Sequence, residues 1–417
     1  MRLESFGNVL LLCCSAARRH SYLIFRKRVP YLVKNSLFKN HFFVIMNMSP
    51  FNAHLQIIDK TIGPKVRERN TYVNLREKFV TWLIKEMRRV DPVFNKLCIG
   101  LSAFPGNSEW NGDCKPNEFE VICILEFPFP VHIGLDNDRP GFVHLDMYDV
   151  LNKMAIEDKW DDTFILLSTL VDFHTAYLRR QELHNWISQV IEKALMTAHI
   201  FGYEVNYKNY QEAHVLTIYE GHNLMKVIKI DFRPVIKFGK VNWMQARSKT
   251  LLKTDYYYNW YAFPIESSMP MPNRTHDYTF LLSNPMAENE LLWSKEKLKI
   301  VFRLICSLRF RYVLHGIRDY MITNAMLWML KSKSMEFVNS RPLEDLLIYM
   351  LTSLCNFFQE RNMPSFWVQN WNLLEMLERK DVADYVKDLQ IVCNQLSSYP
   401  KQPQLSFART SKHFCIR

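Results

Sequence analysis

Glu118 and Glu120 stand two residues apart at the head of an apolar run, Glu118-Phe119-Glu120-Val121-Ile122-Cys123-Ile124-Leu125. A β-strand alternates its side chains between two faces, so both carboxylates project from one face while Phe119 and Val121 turn to the other. Two hard oxygen ligands on one face can hold a divalent cation such as Mg²⁺, and paired ions clamp the attacking and leaving oxygens of a phosphoryl transfer. The same spacing also suits two solvated acids on a strand edge. A second strand is read over Lys226-Val-Ile-Lys-Ile-Asp231-Phe-Arg-Pro234, with Val227, Lys229 and Asp231 on one face. Asp231, at its end, would complete a metal site or deprotonate a hydroxyl, or else merely start a turn before Pro234.

The elements that must position these acids are legible as periods. Gly63 to Arg89 places Val66, Val73, Leu75, Phe79, Trp82, Leu83 and Met87 mostly at three- and four-residue steps, the pattern of one long amphipathic helix that Asp91-Pro92 ends. Pro128, Pro130, Gly134 and Pro140 cut the next stretch into short strands and turns. Trp160-Asp161-Asp162 is a rival acidic cluster, but it precedes an apolar run, where acids favour a helix's first turn. Arg179 to His199 reads as helix. Beyond residue 285 the period is helical almost throughout, over Glu288–Leu314, Ile317–Leu330, Pro342–Arg361 and Asn370–Leu396. The polar, basic tail 400–417 is expected to be disordered.

Asn117-Glu-Phe-Glu120 before an aliphatic strand, with Ile230-Asp-Phe-Arg-Pro234 about 110 residues later, resembles the cyclic GMP-AMP synthase-like receptors and the wider Mab-21 family of nucleotidyltransferases. Further segments are similar in the same order. Tyr261-Ala-Phe-Pro264 resembles the aromatic-Pro segment after the third acid, and Asn284-Pro-Met-Ala-Glu288-Asn-Glu-Leu-Leu292 the short helix whose acids face the base. Asp319-Tyr-Met-Ile-Thr323-Asn-Ala325 resembles the family's Tyr-x-x-Lys-Thr helix, and Pro364-Ser-Phe-Trp-Val-Gln-Asn-Trp-Asn-Leu-Leu374 its late aromatic-Leu segment. The resemblance covers about residues 60 to 395.

Three departures bear on activity. At the Gly-Ser turn that binds triphosphate in catalytic members, an ungapped alignment sets Pro105-Gly106, and a two-residue shift sets Asn107-Ser108, which would make Ser108 the phosphate contact. The second acid is Glu120 where catalytic members carry Asp, as in the developmental branch; that branch lacks the third acid, which Asp231 supplies here. A misplacement of about 1 Å can cost roughly 10²-fold in rate. The vertebrate synthase carries a zinc thumb, whereas residues 293–318 offer only Cys306 and His315, so no structural zinc is expected.

Composition bounds the rest. At 417 residues and 48% hydrophobic, the chain can bury two lobes. Nine Cys without a CxxC pair suggest reduced thiols and a cytoplasmic placement, and no apolar run reaches the ~18 residues of a membrane span. Of the formal charge of +11, residues 1–45 supply +7, from eight Lys or Arg against one Glu. This stretch is expected to be an undocked, disordered extension upstream of a true start near Met46 and Met48; a mitochondrial transit peptide and a secretory signal are the competing interpretations. Lys226, Lys229, Arg233, Lys237, Lys240, Arg247, Lys249 and Lys253 form a basic strip with aromatics between them, and Lys65, Arg67, Arg69, Arg76, Lys78, Lys85, Arg88 and Arg89 line the long helix. Such rows can follow a phosphate backbone, or can be ordinary solvated faces.

The resemblance implies a bilobal α/β fold: a nucleotidyltransferase core over 46–280, with a mixed twisted sheet and a long spine helix, and an all-helical C-terminal lobe over 281–399. It further implies a sensor of double-stranded RNA or DNA that makes a cyclic dinucleotide from ATP, GTP or both with Mg²⁺ or Mn²⁺. Glu118, Glu120 and Asp231 would be catalytic and metal-binding. Ser108, Glu288, Lys299 and Arg303 would contact nucleotide, and Lys237, Lys240, Lys249 and Lys253 nucleic acid. The alternative is a non-catalytic Mab-21-type scaffold.

Overall fold

The computed structural model describes residues 48–63, 66–103, 117–136, 138–197, 202–210, 213–220, 227–239, 259–265, 275–293, 295–375 and 377–416. The basic extension 1–45, Ser108, Lys240, Lys249 and Lys253 lie outside them.

Helix α1 (Pro50–Ile62) starts at Ser49, whose hydroxyl accepts the Asn52 N–H, and ends where the Gly63 N–H closes onto Asp59 O at 2.6 Å. The spine helix α2 (Val66–Val90) buries Leu75, Phe79, Leu83 and Met87 at four-residue steps, with Val80 and Ile84 beside them. Asp91 then caps α3 (Pro92–Leu97) by accepting the Phe94 N–H at 2.7 Å, and Pro92 takes the first position, where its missing N–H leaves nothing unmade. Three further helices among the described residues, α4 (Tyr148–Met154), α5 (Asp161–Leu170) and α6 (Arg180–Thr197), belong to this lobe. The acids Asp161 and Asp162 do open α5. Trp186 of α6 donates its ring N–H to the other oxygen of Asp91 at 3.1 Å, tying α6 to the end of the spine.

Among the described residues nine strands make one mixed sheet: β1 (Cys98–Ala103), β2 (Glu118–Leu125), β3 (His132–Leu135), β4 (Phe142–Asp146), β5 (Tyr203–Tyr210), β6 (Ala213–Glu220), β7 (Val227–Phe238), β8 (Trp260–Phe263) and β9 (Thr279–Ser283). The order is β1-β2-β7-β8-β9-β4-β3, with the β5–β6 hairpin added to β7. β7 is the hub: it runs parallel to β2 along one edge, while the other edge pairs with β6 up to Phe232 and with β8 from Ile236. Pro234 stands in the gap between those two partners, where no neighbour needs the N–H it lacks. Asp231 is therefore not at a strand end before a turn; the strand passes through Pro234 to Phe238. Beneath one face, the spine, α6 and the odd-numbered residues of β2 share a core that includes Phe119, Val121, Ile230 and Phe232.

The helical lobe comprises α7 (Pro285–Trp293), α8 (Glu296–Arg311), α9 (Asp319–Ser332), α10 (Met335–Ser340), α11 (Leu343–Gln359), α12 (Arg379–Ser398) and α13 (Phe407–Ser411). The period read over Glu288–Leu314 thus divides into α7 and α8, and that read from Asn370 begins only at Arg379. Two expectations are corrected. Residues 50–62, counted from sequence with the nucleotidyltransferase lobe, bury Phe51, Leu55, Ile58 and Ile62 in the helical core, because that is the apolar face α1 has to cover. The tail, expected to be disordered, is folded: Leu405, Thr410, His413 and Phe414 are buried, and the His413 ring bridges the hydroxyls of Tyr312 at 2.5 Å and Tyr399 at 2.7 Å.

Candidate active site

Parallel pairing sets Glu118 opposite Lys229 and Glu120 opposite Asp231. Residues paired across neighbouring strands share a face, so the three carboxylates stand together on one side of β2 and β7, with Lys229 and Arg233 among them. Phe119, between the two glutamates, points into the core; it is 4% exposed and lies under the Arg76 guanidinium of the spine at 5.1 Å.

The cations are committed to the acids. Arg233 Nε lies 2.9 Å from Glu120 Oε1 but meets it off the N–H axis, so the contact is ionic and not a directed hydrogen bond. Lys229 Nζ is 3.5 Å from Asp231 Oδ1, a buried oxygen that accepts no hydrogen bond. Among the described residues no three His, Cys, Asp or Glu side chains are gathered closely enough to hold a metal ion. The donors nevertheless suit a hard cation. All are carboxylate oxygens, and a buried one that accepts no hydrogen bond costs about 1–3 kcal/mol. Glu118, Glu120 and Asp231 are the residues that would hold such an ion.

Farther along the same face the surroundings turn apolar. Ile122 and Val235 pack with Tyr261 and Phe263 of β8, and Ile124 joins them. Burial raises the Tyr261 phenol, helped by the nearby Glu126 carboxylate. Lys237, expected on a nucleic-acid surface, extends from this acid-bearing face to Glu126 at 3.1 Å. Its charge is met inside the sheet's own rim.

Two of the late segments converge on Glu288. Trp367 donates its ring N–H to Glu288 Oε1 at 2.6 Å and meets Trp260 of β8 edge-on at 5.5 Å. Burial pushes the Glu288 carboxyl up to about 7, although the Trp367 hydrogen bond pulls the other way. Asn324 of α9 fixes the approach: it accepts the Phe366 N–H at 2.7 Å and donates to Pro364 O at 3.0 Å, an oxygen that also takes the Trp328 ring N–H at 2.9 Å. A second contact joins the lobes at Gly141, whose φ of +92° and close approach to the Trp371 ring leave no room for a Cβ.

Arg303 and Lys299 both have acidic partners on helices. Arg303 holds Asp59 of α1 through two hydrogen bonds, at 2.7 and 2.9 Å, and Lys299 pairs with Glu296 one turn away at 3.5 Å. Sequence reasoning placed Arg233 in the basic strip and missed its place beside Glu120. The signal was present, since Arg233 is two residues from Asp231 and so on its face, provided the strand continues through Pro234. Trp367 carried no signal beyond its segment's resemblance.

Residues 113–292 match the Mab-21 protein nucleotidyltransferase domain, and residues 286–391 the Mab-21 protein HhH/H2TH-like domain. The chain is similar to a cyclic GMP-AMP synthase-like protein of Drosophila melanogaster, 23% identical over 84% of this chain and 94% of the relative. It is also similar to a cyclic GMP-AMP synthase-like receptor of Aethina tumida, 23% identical over 77% and 81%, and to cyclic GMP-AMP synthase-like receptor 1 of Drosophila erecta, 25% identical over 74% and 69%. The two domain matches overlap on α7, the helix that carries Glu288 at the join between sheet and helical lobe. With both domains in order on one chain, and the in-register acids inside the first, the chain belongs to the Mab-21 family of nucleotidyltransferases.

Proposed function

We propose that this protein is a cyclic GMP-AMP synthase-like nucleotidyltransferase that condenses ATP, GTP or both into a cyclic dinucleotide when it binds double-stranded nucleic acid. The observation that carries this reading is the register of Glu120 with Asp231, with Glu118 one step along the same face. Mg²⁺ or Mn²⁺, held by these three residues, would neutralise the triphosphate and make the attacking hydroxyl more acidic. In the transfer the ribose oxygen bonds to the α-phosphorus, the bond to the bridging oxygen breaks, and pyrophosphate leaves with the electron pair. Asp231 takes the hydroxyl proton. Ser108 is the proposed triphosphate contact and Glu288 the base contact, oriented by Trp367. For nucleic acid the spine offers Lys78, Lys85 and Arg89, exposed on one helix face at seven- and four-residue steps, alongside Lys240, Lys249 and Lys253. The cytoplasm is the proposed compartment.

The test incubates the purified protein with labelled ATP and GTP, Mg²⁺ or Mn²⁺, and long double-stranded RNA or DNA. A dinucleotide product is expected with one of these ligands, and Glu118→Ala and Asp231→Ala should each abolish it without lowering the thermal midpoint. Undiminished product in either variant would refute the assignment. The ion pair between Arg233 and Glu120 favours a second reading, a scaffold that keeps the fold without chemistry. Nucleotide bound but never joined, under every ligand, would support it.

A further inference from the structure

We propose that Arg233 is a built-in counter-cation that competes with a divalent ion for Glu120, so that the acid face takes up metal only when the guanidinium is displaced. This rests on the reading of that face as a metal site. Arg233 stands opposite Ile122 in the register, one step past the acids, and its side chain reaches back to Glu120 at 2.9 Å. Lys229, opposite Glu118, turns toward Asp231 at 3.5 Å. Three carboxylates are thus interleaved with two cations on one face, and the charge left to attract a dication is small. The pair is reachable from solvent, with the Arg233 and Glu120 side chains 21% and 18% exposed, and its off-axis contact forgoes the fork geometry that makes a guanidinium–carboxylate pair strong. A guanidinium does not deprotonate at any pH a protein survives. Its release therefore calls for a competing anion, and a polyphosphate, which a guanidinium can grip bidentately, has the right chemistry.

The experiment titrates the full chain with Mn²⁺ alone, following free Mn²⁺ by electron paramagnetic resonance. Arg233→Met keeps the aliphatic stem and removes the charge, and it should bind Mn²⁺ at least about tenfold more tightly than the wild type, about 1.4 kcal/mol. Arg233→Lys should stay near the wild type, and the Met effect should persist from pH 6 to 8. Equal Mn²⁺ affinity in folded Arg233→Met and wild type would overturn the proposal; if the Met variant does not fold, Arg233→Gln serves the same comparison. Asp231→Asn separates the two ideas. If it weakens Mn²⁺ binding while Arg233→Met does nothing, the counter-cation falls and the metal site stands. If it changes nothing in either background, the metal reading falls as well.

Discussion

Replacing Glu288 by Gln isolates the most displaced carboxyl of the site. Burial raises this group from an ordinary 4.5 to about 7, so the folded protein holds a proton that the unfolded chain has already released between those values. Stability falls with pH wherever the folded state binds more protons. The contribution is therefore complete below 4.5, declines through the window, and is gone above 7. At 1.36 kcal/mol for each tenfold in proton affinity, the loss across the window is about 3 kcal/mol. Gln keeps an oxygen for the Trp367 ring N–H, which now reaches Glu288 at 2.6 Å, and has no proton to lose. Urea unfolding of both proteins in steps from pH 4.5 to 8 should show the Gln variant gaining on the wild type by about 3 kcal/mol, most of it between pH 5 and 7. Histidines shared by the two proteins cancel in the difference. Parallel curves would show that Glu288 is ionised in the folded protein, with water reaching it.

Gly141→Ala should destabilise by about 2–4 kcal/mol, from a left-handed backbone and a Cβ placed 2.5 Å from the Trp371 ring. In a Trp371→Ala background only the backbone share, about 1–2 kcal/mol, should remain; an equal cost in both backgrounds would clear the ring of any part. Arg303→Met strands Asp59 between α1 and α8, so about 2–4 kcal/mol of stability should be lost with nucleotide affinity unchanged. Weaker nucleotide binding at unaltered stability would restore the phosphate role. Removing residues 402–417 should lower the thermal midpoint by several degrees, since Leu405 and Phe414 leave the helical core, each with about 1.5–3 kcal/mol of apolar burial. An unchanged midpoint would mean that the tail does not dock in solution.

What was legible followed from local periods. Alternation assigned Glu118 and Glu120 to one face, and the four-residue stripe of Leu75, Phe79, Leu83 and Met87 declared the spine, because each pattern is fixed by the geometry of its own element. The pairing of β2 with β7 is different. It joins residues about 110 apart, and nothing local to either strand states the register that sets Glu120 against Asp231. The resemblance supplied that link before the geometry did. Pro234 misled because a proline is ordinarily excluded from a central strand, and it is tolerated here only where β6 stops and β8 has not begun. The tail was illegible for another reason. Its few apolar residues follow neither a helical nor a strand period: Leu405 and Phe414 are buried while Phe407 and Ile416 stay exposed. Arg303 shows the remaining difficulty: its guanidinium is as well suited to an internal aspartate as to a phosphate, and only the position of α1 brings Asp59 to it.

The basic spine and the acidic face are two sides of a single stack. Lys78, Lys85 and Arg89 lie on the outer side of α2, and Phe79, Leu83 and Met87 on the inner side, packed into the core that Phe119 enters from the sheet. Phe119 is flanked in sequence by Glu118 and Glu120, so the residue that the spine grips and the residues that would meet a nucleotide differ only by the alternation of one strand. Arg76 adds a charged contact to that grip, its guanidinium over the Phe119 ring. Close-packed interiors pass displacement on rather than absorbing it. A shift of the spine would be passed to β2 and β7 alike, since Phe119 and Phe232 share its core, and so to the strands that carry Glu120, Asp231 and Arg233. Nucleic acid, if it binds the outer row as proposed, would then need no separate relay to reach the acids, because both strands that carry them share the spine's core.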